Sequence, residues 1–191
     1  VDTNPIAHEL LHVYGSLHGI CHAPRESLQK IPGIGPNAAT LLRLIPGLCR
    51  MYYSEQETHV ILNNPEKCAA YLIPRFIGRT VETVFLICTD SKHRLLSCIL
   101  LATGNLNSAA VSSRSVVEIA LRFNAAHVIL AHNHPNGVAL PSEEDLHTTD
   151  RLFNALAGVT VRLVDHIIVA DNDYVSMADS GYFSMNTSYY P

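Results

Sequence analysis

The chain has 191 residues, 48% hydrophobic and 16% charged, enough for one medium domain or two small ones with a core, which excludes a disordered tail. Thirteen Lys and Arg against seventeen Asp and Glu give a formal charge of −4, so any contact with DNA must be local rather than driven by the field of the whole chain. No apolar run approaches the roughly 18 residues of a membrane span, and no basic stretch leads into an apolar one as in a secretory signal, so a cytoplasmic protein without a membrane partner is expected.

The charge divides unevenly, +1 over residues 1–50 and −5 over residues 51–191, and two modules are expected. The first, residues 1–52, has short helical patterns at His8 to Gly15 and Arg25 to Ile31, and an apolar-rich helix from about Asn37 to Tyr52. Between them, Ile31-Pro32-Gly33-Ile34-Gly35-Pro36-Asn37-Ala38-Ala39 fits the helix-hairpin-helix pattern hxGhGxxxA. The backbone N–H groups of such a hairpin, with the helix start behind it, can hold a DNA phosphate without reading bases, which makes Gly33, Gly35 and Asn37 candidate DNA contacts. No Lys or Arg follows until Arg43, so binding would be weak and steeply salt-dependent. A hairpin that merely packs helices explains the same residues.

Residues 53–64 read as a polar linker running into an extended segment, and Pro65 opens a helix through about Phe76. Val81 to Thr89 and Arg94 to Ala102 are rich in Val, Ile, Leu and Phe and flank Asp90-Ser91-Lys92-His93, as in a β-hairpin. Ser113 to Asn124 has helical spacing with an exposed Glu118/Arg122 pair. Ala126 to His132 reads as a buried strand and Ser142 to Ala157 as a helix. Thr160 to Leu163 and His166 to Ala170 read as two strands, and residues 184–191 as a polar tail. This order predicts an α/β domain over residues 65–183.

The five cysteines, Cys21, Cys49, Cys68, Cys88 and Cys98, are odd in number and form no CxxC pair, against both a disulfide framework and a thiolate zinc site. Histidine is the unusual component, eleven residues against no tryptophan. His132 and His134 close an apolar strand two residues apart, so both rings project from one face and can meet one ion. After the turn Pro135-Asn136-Gly137 the chain returns as a helix bearing Asp145 near its start. Two imidazoles and one carboxylate leave a fourth tetrahedral position for water, the open arrangement of a catalytic zinc. Ser142 and Asp145 also read as a helix cap and its third-position partner, which is compatible because a cap fixes where Asp145 points.

The spacing from His132 to Asp145, H-x-H-x7-S-x2-D, resembles the JAMM (MPN+) metalloprotease signature, and HNHPNG with PSxxD resembles its bacterial RadC branch. Thr103 to Asn107, Ser113-Arg114, Asn124 to Ala126 and Asp165 to Ile168 add to the similarity, which spans about Pro65 to Gly181. The resemblance implies a JAMM/MPN-like mixed sheet flanked by helices, cytidine-deaminase-like, preceded by the small all-α hairpin module. It implies Zn2+ on His132, His134 and Asp145, with Ser142 donating a hydrogen bond near the metal-bound water and developing oxyanion. It also implies a general base on an early strand, matched here by Glu82, whose burial inside an apolar run a nearby zinc-water would satisfy; a strand-edge Glu exposed to solvent is the alternative. The family commonly has a further helical stretch before this point, and the chain starts at Val1 rather than methionine, so a shortened sequence is expected.

The implied activity is hydrolysis of a peptide or isopeptide bond in a protein or peptide substrate. The rival from another class is a DNA-associated repair or mobile-element accessory protein whose metal domain is not proteolytic. Metal-assisted phosphodiester cleavage is disfavoured by the single carboxylate ligand. Glu118 is the rival base, more simply a surface partner of Arg122. His166 reads as a buried, hydrogen-bonded ring or as one that orients a ligand. His127 should face away from His132, the rings of His8, His12, His18 and His22 have no joint ligand geometry, and His59, His93 and His147 read as surface residues.

Overall fold

Glycine, proline and serine punctuate the first module into four helices. In the computed structural model, which describes residues 2–54, 60–104, 111–135 and 137–182, α1 (Asn4–Tyr14) stops at Gly15, whose positive φ of 74° lets its N–H reach the Leu11 carbonyl. Helix α2 (Leu17–His22) starts where the Ser16 hydroxyl accepts from the Gly19 N–H. It is short and was not anticipated, because its six residues carry too little periodicity. Helix α3 covers Arg25–Leu28 and α4 covers Pro36–Ser54. Leu10, Ile20, Ala23, Leu28, Ile31 and Ala39 form the shared core. Gly33 turns the chain at φ +94°, where a Cβ would sit 2.5 Å from Ile6 Cδ1 of α1, so this glycine serves packing within the unit.

The chain divides into two units, residues 1–56 and 57–191. Part of the expected linker belongs to the second unit. Leu62 is buried, its N–H bonds the His93 carbonyl, and the Leu95 N–H bonds Val60, so the segment adds a bridge beside the sheet. The predicted tail lies outside the described residues.

The second unit runs α5 (Pro65–Phe76), β1 (Thr83–Thr89), β2 (Leu95–Thr103), α6 (Ser113–Arg122), β3 (His127–Asn133), α7 (Glu143–Ala157), β4 (Arg162–Ala170) and β5 (Asp173–Ser176). The sheet order is β2-β1-β3-β4-β5. Only β3 and β4 pair in parallel, joined through α7; the other neighbours are antiparallel. Strand alternation gives the sheet two apolar faces. Val84, Leu86, Val128, Leu130 and Leu163 pack with Leu152 and Leu156 of α7 and Val116 of α6. Phe85, Ile87, Ile129, Ala131 and Ile167 pack with Leu72 and Phe76 of α5. This is the mixed, helix-flanked sheet expected.

One element differs from the expectation. The two strands predicted across 160–170 are one continuous strand, β4, because the polar residue between them, Asp165, is buried and satisfied: its carboxylate accepts from the N–H groups of His166 and Ala178 and from the Ser176 hydroxyl. The register skips a residue here, Val128 facing Leu163 and Ile129 facing Asp165, which makes Val164 the extra residue of a bulge. Regular alternation from Leu163 would send His166 to the α5 face. The bulge instead puts it beside Leu130 and His132, on the α7 face.

Candidate metal centre

The site forms where the C-terminal end of β3 meets the start of α7. His132 is the penultimate residue of β3, and the ladder continues one residue further through the His134 N–H, 2.8 Å from the Val169 carbonyl. Alternation therefore sends both rings to the α7 side. Opposite them, Ser142 caps α7 in a reciprocal box: its hydroxyl accepts from the Asp145 N–H at 3.2 Å, and the Asp145 carboxylate accepts from the Ser142 N–H at 2.9 Å and from its hydroxyl at 2.6 Å. The cap thus aims the carboxylate back at the strand.

His132 Nε2 lies 2.9 Å from His134 Nε2 and 3.2 Å from Asp145 Oδ1, and His134 Nε2 lies 3.7 Å from Asp145 Oδ2. His134 Nδ1 donates to the Val138 carbonyl at 3.0 Å, so in the neutral ring Nε2 is the lone-pair nitrogen. Convergence of imidazole nitrogens and a carboxylate on one point fits a divalent cation in their midst, and the chemistry of the donor set matches zinc. Burial alone would raise the Asp145 pKa; the facing His132 and His134 rings and the hydrogen bond from Ser142 override it and hold the carboxyl well below its usual range. His134 is raised by the Asp145 carboxylate that faces its Nε2, against burial, with the Val138 carbonyl and the charge of Glu82 adding to the effect.

His132, Asp145 and His166 also form a His/Asp/His group whose ligand atoms lie within 4.8 Å of one another, able to hold a metal. The two sets share His132 and Asp145. His166 is fully buried, with Nε2 2.8 Å from His132 Nδ1 and Nδ1 2.7 Å from Thr149 Oγ1, so both its nitrogens are engaged. His134 is partly exposed and its Nε2 faces the other donors, which favours it as the third ligand. Burial, and next the neighbouring His132, push the His166 pKa well below the ordinary histidine range.

Glu82 shares a cavity of about 100 Å³ with His132, His134, Ser142 and Asp145. It does not sit inside the apolar strand as expected. It precedes β1, half-buried at the mouth of the sheet, so the carboxylate avoids the cost of full burial. Its backbone is pinned on both sides: the Thr83 N–H donates to Asn133 Oδ1 at 2.8 Å, Asn133 Nδ2 reaches the Val81 carbonyl at 3.4 Å, and the Gly104 N–H bonds the Glu82 carbonyl at 2.8 Å. Sequence reasoning missed Asn133, although its place between the two histidines already sends it to the opposite face of β3. It also missed Thr149, one helical turn beyond Asp145.

The remaining sequence candidates lie elsewhere. Glu118 is exposed on α6 and pairs with Arg114, at 2.8 Å, rather than with Arg122; both are four residues away and equally near on a helix. His127 bonds the Asp90 carbonyl and stacks on His93, which is therefore half-buried rather than a free surface ring. His147 is exposed, and His59 lies outside the described residues. Gly33, Gly35 and Asn37 are exposed around the start of α4.

The model of the RadC-like JAB domain family matches residues 62–182, a span that holds every element from α5 to β5. The chain belongs to the RadC family. UPF0758 proteins of Shewanella sp. (strain ANA-3), Shewanella sp. (strain MR-7) and Shewanella baltica (strain OS195) are each 36% identical to it over 171 residues, 89% of this chain and 76% of theirs. Among the described residues of this RadC-family chain, no helix is long and apolar enough to cross a membrane.

Proposed function

We propose that this RadC-family chain is a zinc-dependent hydrolase of JAMM type that cleaves a peptide or isopeptide bond in a protein or peptide substrate. The observation that carries the proposal is the convergence of His132 Nε2, His134 Nε2 and the Asp145 carboxylate in one cavity that Glu82 also lines. His132, His134 and Asp145 would hold the ion, and a zinc bound there would supply a Lewis acid for the scissile carbonyl and a water made acidic enough to attack near neutral pH. Glu82 takes the proton of the attacking water and returns it to the leaving amine. Asn133 and Gly104 fix the backbone from which Glu82 reaches in. Ser142 spends its hydroxyl hydrogen on Asp145, so its first task is to orient that carboxylate. Support of the developing oxyanion requires the hydroxyl to turn away from Asp145 during the reaction.

Glu82→Gln tests the proposal. It should keep zinc, measured by metal analysis of the purified full chain, and lose hydrolysis of peptide and isopeptide substrates by roughly 100-fold or more, the scale of a general base. Unchanged turnover would remove Glu82 from that role.

A second reading, a DNA-associated accessory role, draws on the exposed start of α4, where Gly35 and Asn37 stand at a helix N-terminus with no acidic residue in its first turn. Titration of the full chain with duplex DNA at two salt concentrations tests it. Weak binding that is lost with salt and abolished by Asn37→Glu supports a phosphate contact, and no binding at low salt leaves a packing hairpin.

A further inference from the structure

A buried polar chain leads from the candidate centre back into α7. His132 Nδ1 is 2.8 Å from His166 Nε2, His166 Nδ1 is 2.7 Å from Thr149 Oγ1, and Thr149 Oγ1 is 2.6 Å from the backbone carbonyl of Asp145. The relay therefore links two of the proposed ligands, His132 and Asp145, by a route separate from the metal position. His166 and Thr149 are each no more than 1% exposed, so water does not compete for these contacts.

The hydrogens along this chain can be counted. A carbonyl oxygen only accepts, so the contact between Thr149 and Asp145 takes the single hydroxyl hydrogen of Thr149. Met177 Sδ, 3.7 Å from the same hydroxyl, is a weaker and more distant acceptor. With its hydrogen committed, Thr149 Oγ1 can only accept from His166, which places a hydrogen on His166 Nδ1. The neutral ring is then bare at Nε2 and accepts from His132 Nδ1–H. The Nε2 of a neutral His132 is left with its lone pair aimed at His134 Nε2 and Asp145 Oδ1. Reversing the first link would reverse them all: Thr149 donating to His166 would put a hydrogen on His166 Nε2, make His132 Nδ1 the acceptor and leave a hydrogen on His132 Nε2, where a cation must approach.

We infer that Thr149 and His166 are positioning residues that set the tautomer of His132, polarising it through one hydroxyl hydrogen anchored on the Asp145 carbonyl so that Nε2 is presented to the metal. The inference rests on the metal reading of the site for its purpose, but the direction of the relay does not depend on an ion being bound. Two local features place the relay. The bulge at Val164 turns His166 onto the face of His132, and the Asp165 carboxylate holds the His166 N–H at 2.8 Å. The spacing of Asp145 and Thr149, one turn apart on α7, brings the hydroxyl to the carbonyl that anchors it.

Long-range proton–nitrogen correlation spectra of the full chain, labelled with 15N-histidine, read the tautomers directly, with and without one equivalent of Zn2+. His166 should carry its hydrogen on Nδ1 and be bare at Nε2 in both states, and zinc-loaded His132 should be protonated at Nδ1. A His166 protonated at Nε2 overturns the inference. Zinc affinity from chelator competition gives the second readout: Thr149→Val, which keeps the shape and removes the hydroxyl, should weaken zinc binding by about 10-fold or more, as outer contacts to metal ligands commonly do. Thr149→Ser should restore it. Wild-type affinity in Thr149→Val overturns the proposed effect. If the wild-type chain takes up no zinc, the metal reading fails separately, and the His166 tautomer in the metal-free protein still decides the direction of the relay.

Discussion

Strand β3 has histidine at both ends, and the two ends behave differently. At the His127 end the ring stacks on His93 with centroids 5.2 Å apart, and its Nδ1 donates to the Asp90 carbonyl. The nearby Asp90 carboxylate is taken by the Arg94 guanidinium and by the N–H groups of Lys92 and Arg94. Burial pushes the pKa of both rings down, away from a charged form, with Asp90 opposing. At the other end the carboxylate of Asp145 faces His132 and His134 directly, and its cap partner Ser142 adds no positive charge. What separates a candidate metal centre from a packed pair of rings is therefore where the carboxylate and the ring hydrogens are committed, not the number of histidines nearby.

The sharpest way to break this contrast is to remove one ring from each end. His134→Ala should cost zinc affinity by more than the 10–100-fold of an outer-contact loss, whereas His127→Ala should leave the zinc content of the dialysed protein unchanged. Equal zinc content in the two variants would erase the distinction.

Asn133→Ala comes next. It removes a buried side chain that bridges the residues either side of Glu82 and leaves the Thr83 N–H without its acceptor, a loss of roughly 1–3 kcal/mol, readable as a lower denaturant midpoint with the slope unchanged. Hydrolysis should fall further than zinc affinity, since Asn133 holds the base segment and not a ligand. A variant as stable and as active as the parent would show that Gly104 alone suffices.

The smallest expected effect is at Gly137. A Cβ there would lie 3.2 Å from His134 Cβ, so Gly137→Ala should nudge the ring and weaken zinc binding by less than His134→Ala does. Tighter binding in this variant would mean that the added methyl fixes the ring rather than displacing it.

Much of the second unit was legible because its signals are local. Pro65 marks the start of α5, the apolar runs mark β1, β2 and β3, and Ser142 with Asp145 marks the start of α7. The choice of His132, His134 and Asp145 as candidates came from spacing alone, since i,i+2 on a strand and a capped helix start each specify a direction. The misjudged places were those where a distant partner changes the meaning of a residue. Asp165 falls between the two predicted strands, because the partners that let it sit inside one strand, Ser176 and the Ala178 N–H, come from β5 and beyond. Glu82 looked like a buried strand residue because nothing local shows that β1 begins one position later, with Asn133 holding the entry. Helix α2 was missed because six residues span less than two turns.

By itself, then, the sequence determined the family of folds, the order of the elements and which side chains of β3 and α7 could face one another, because these depend on period, caps and turns within a few residues. Only the tertiary structure decided which histidines share protons, that a one-residue bulge in β4 turns His166 toward His132, and that Thr149 closes a chain back to Asp145. Those depend on register between strands far apart in the chain, where a shift of one residue moves a side chain to the other face of the sheet.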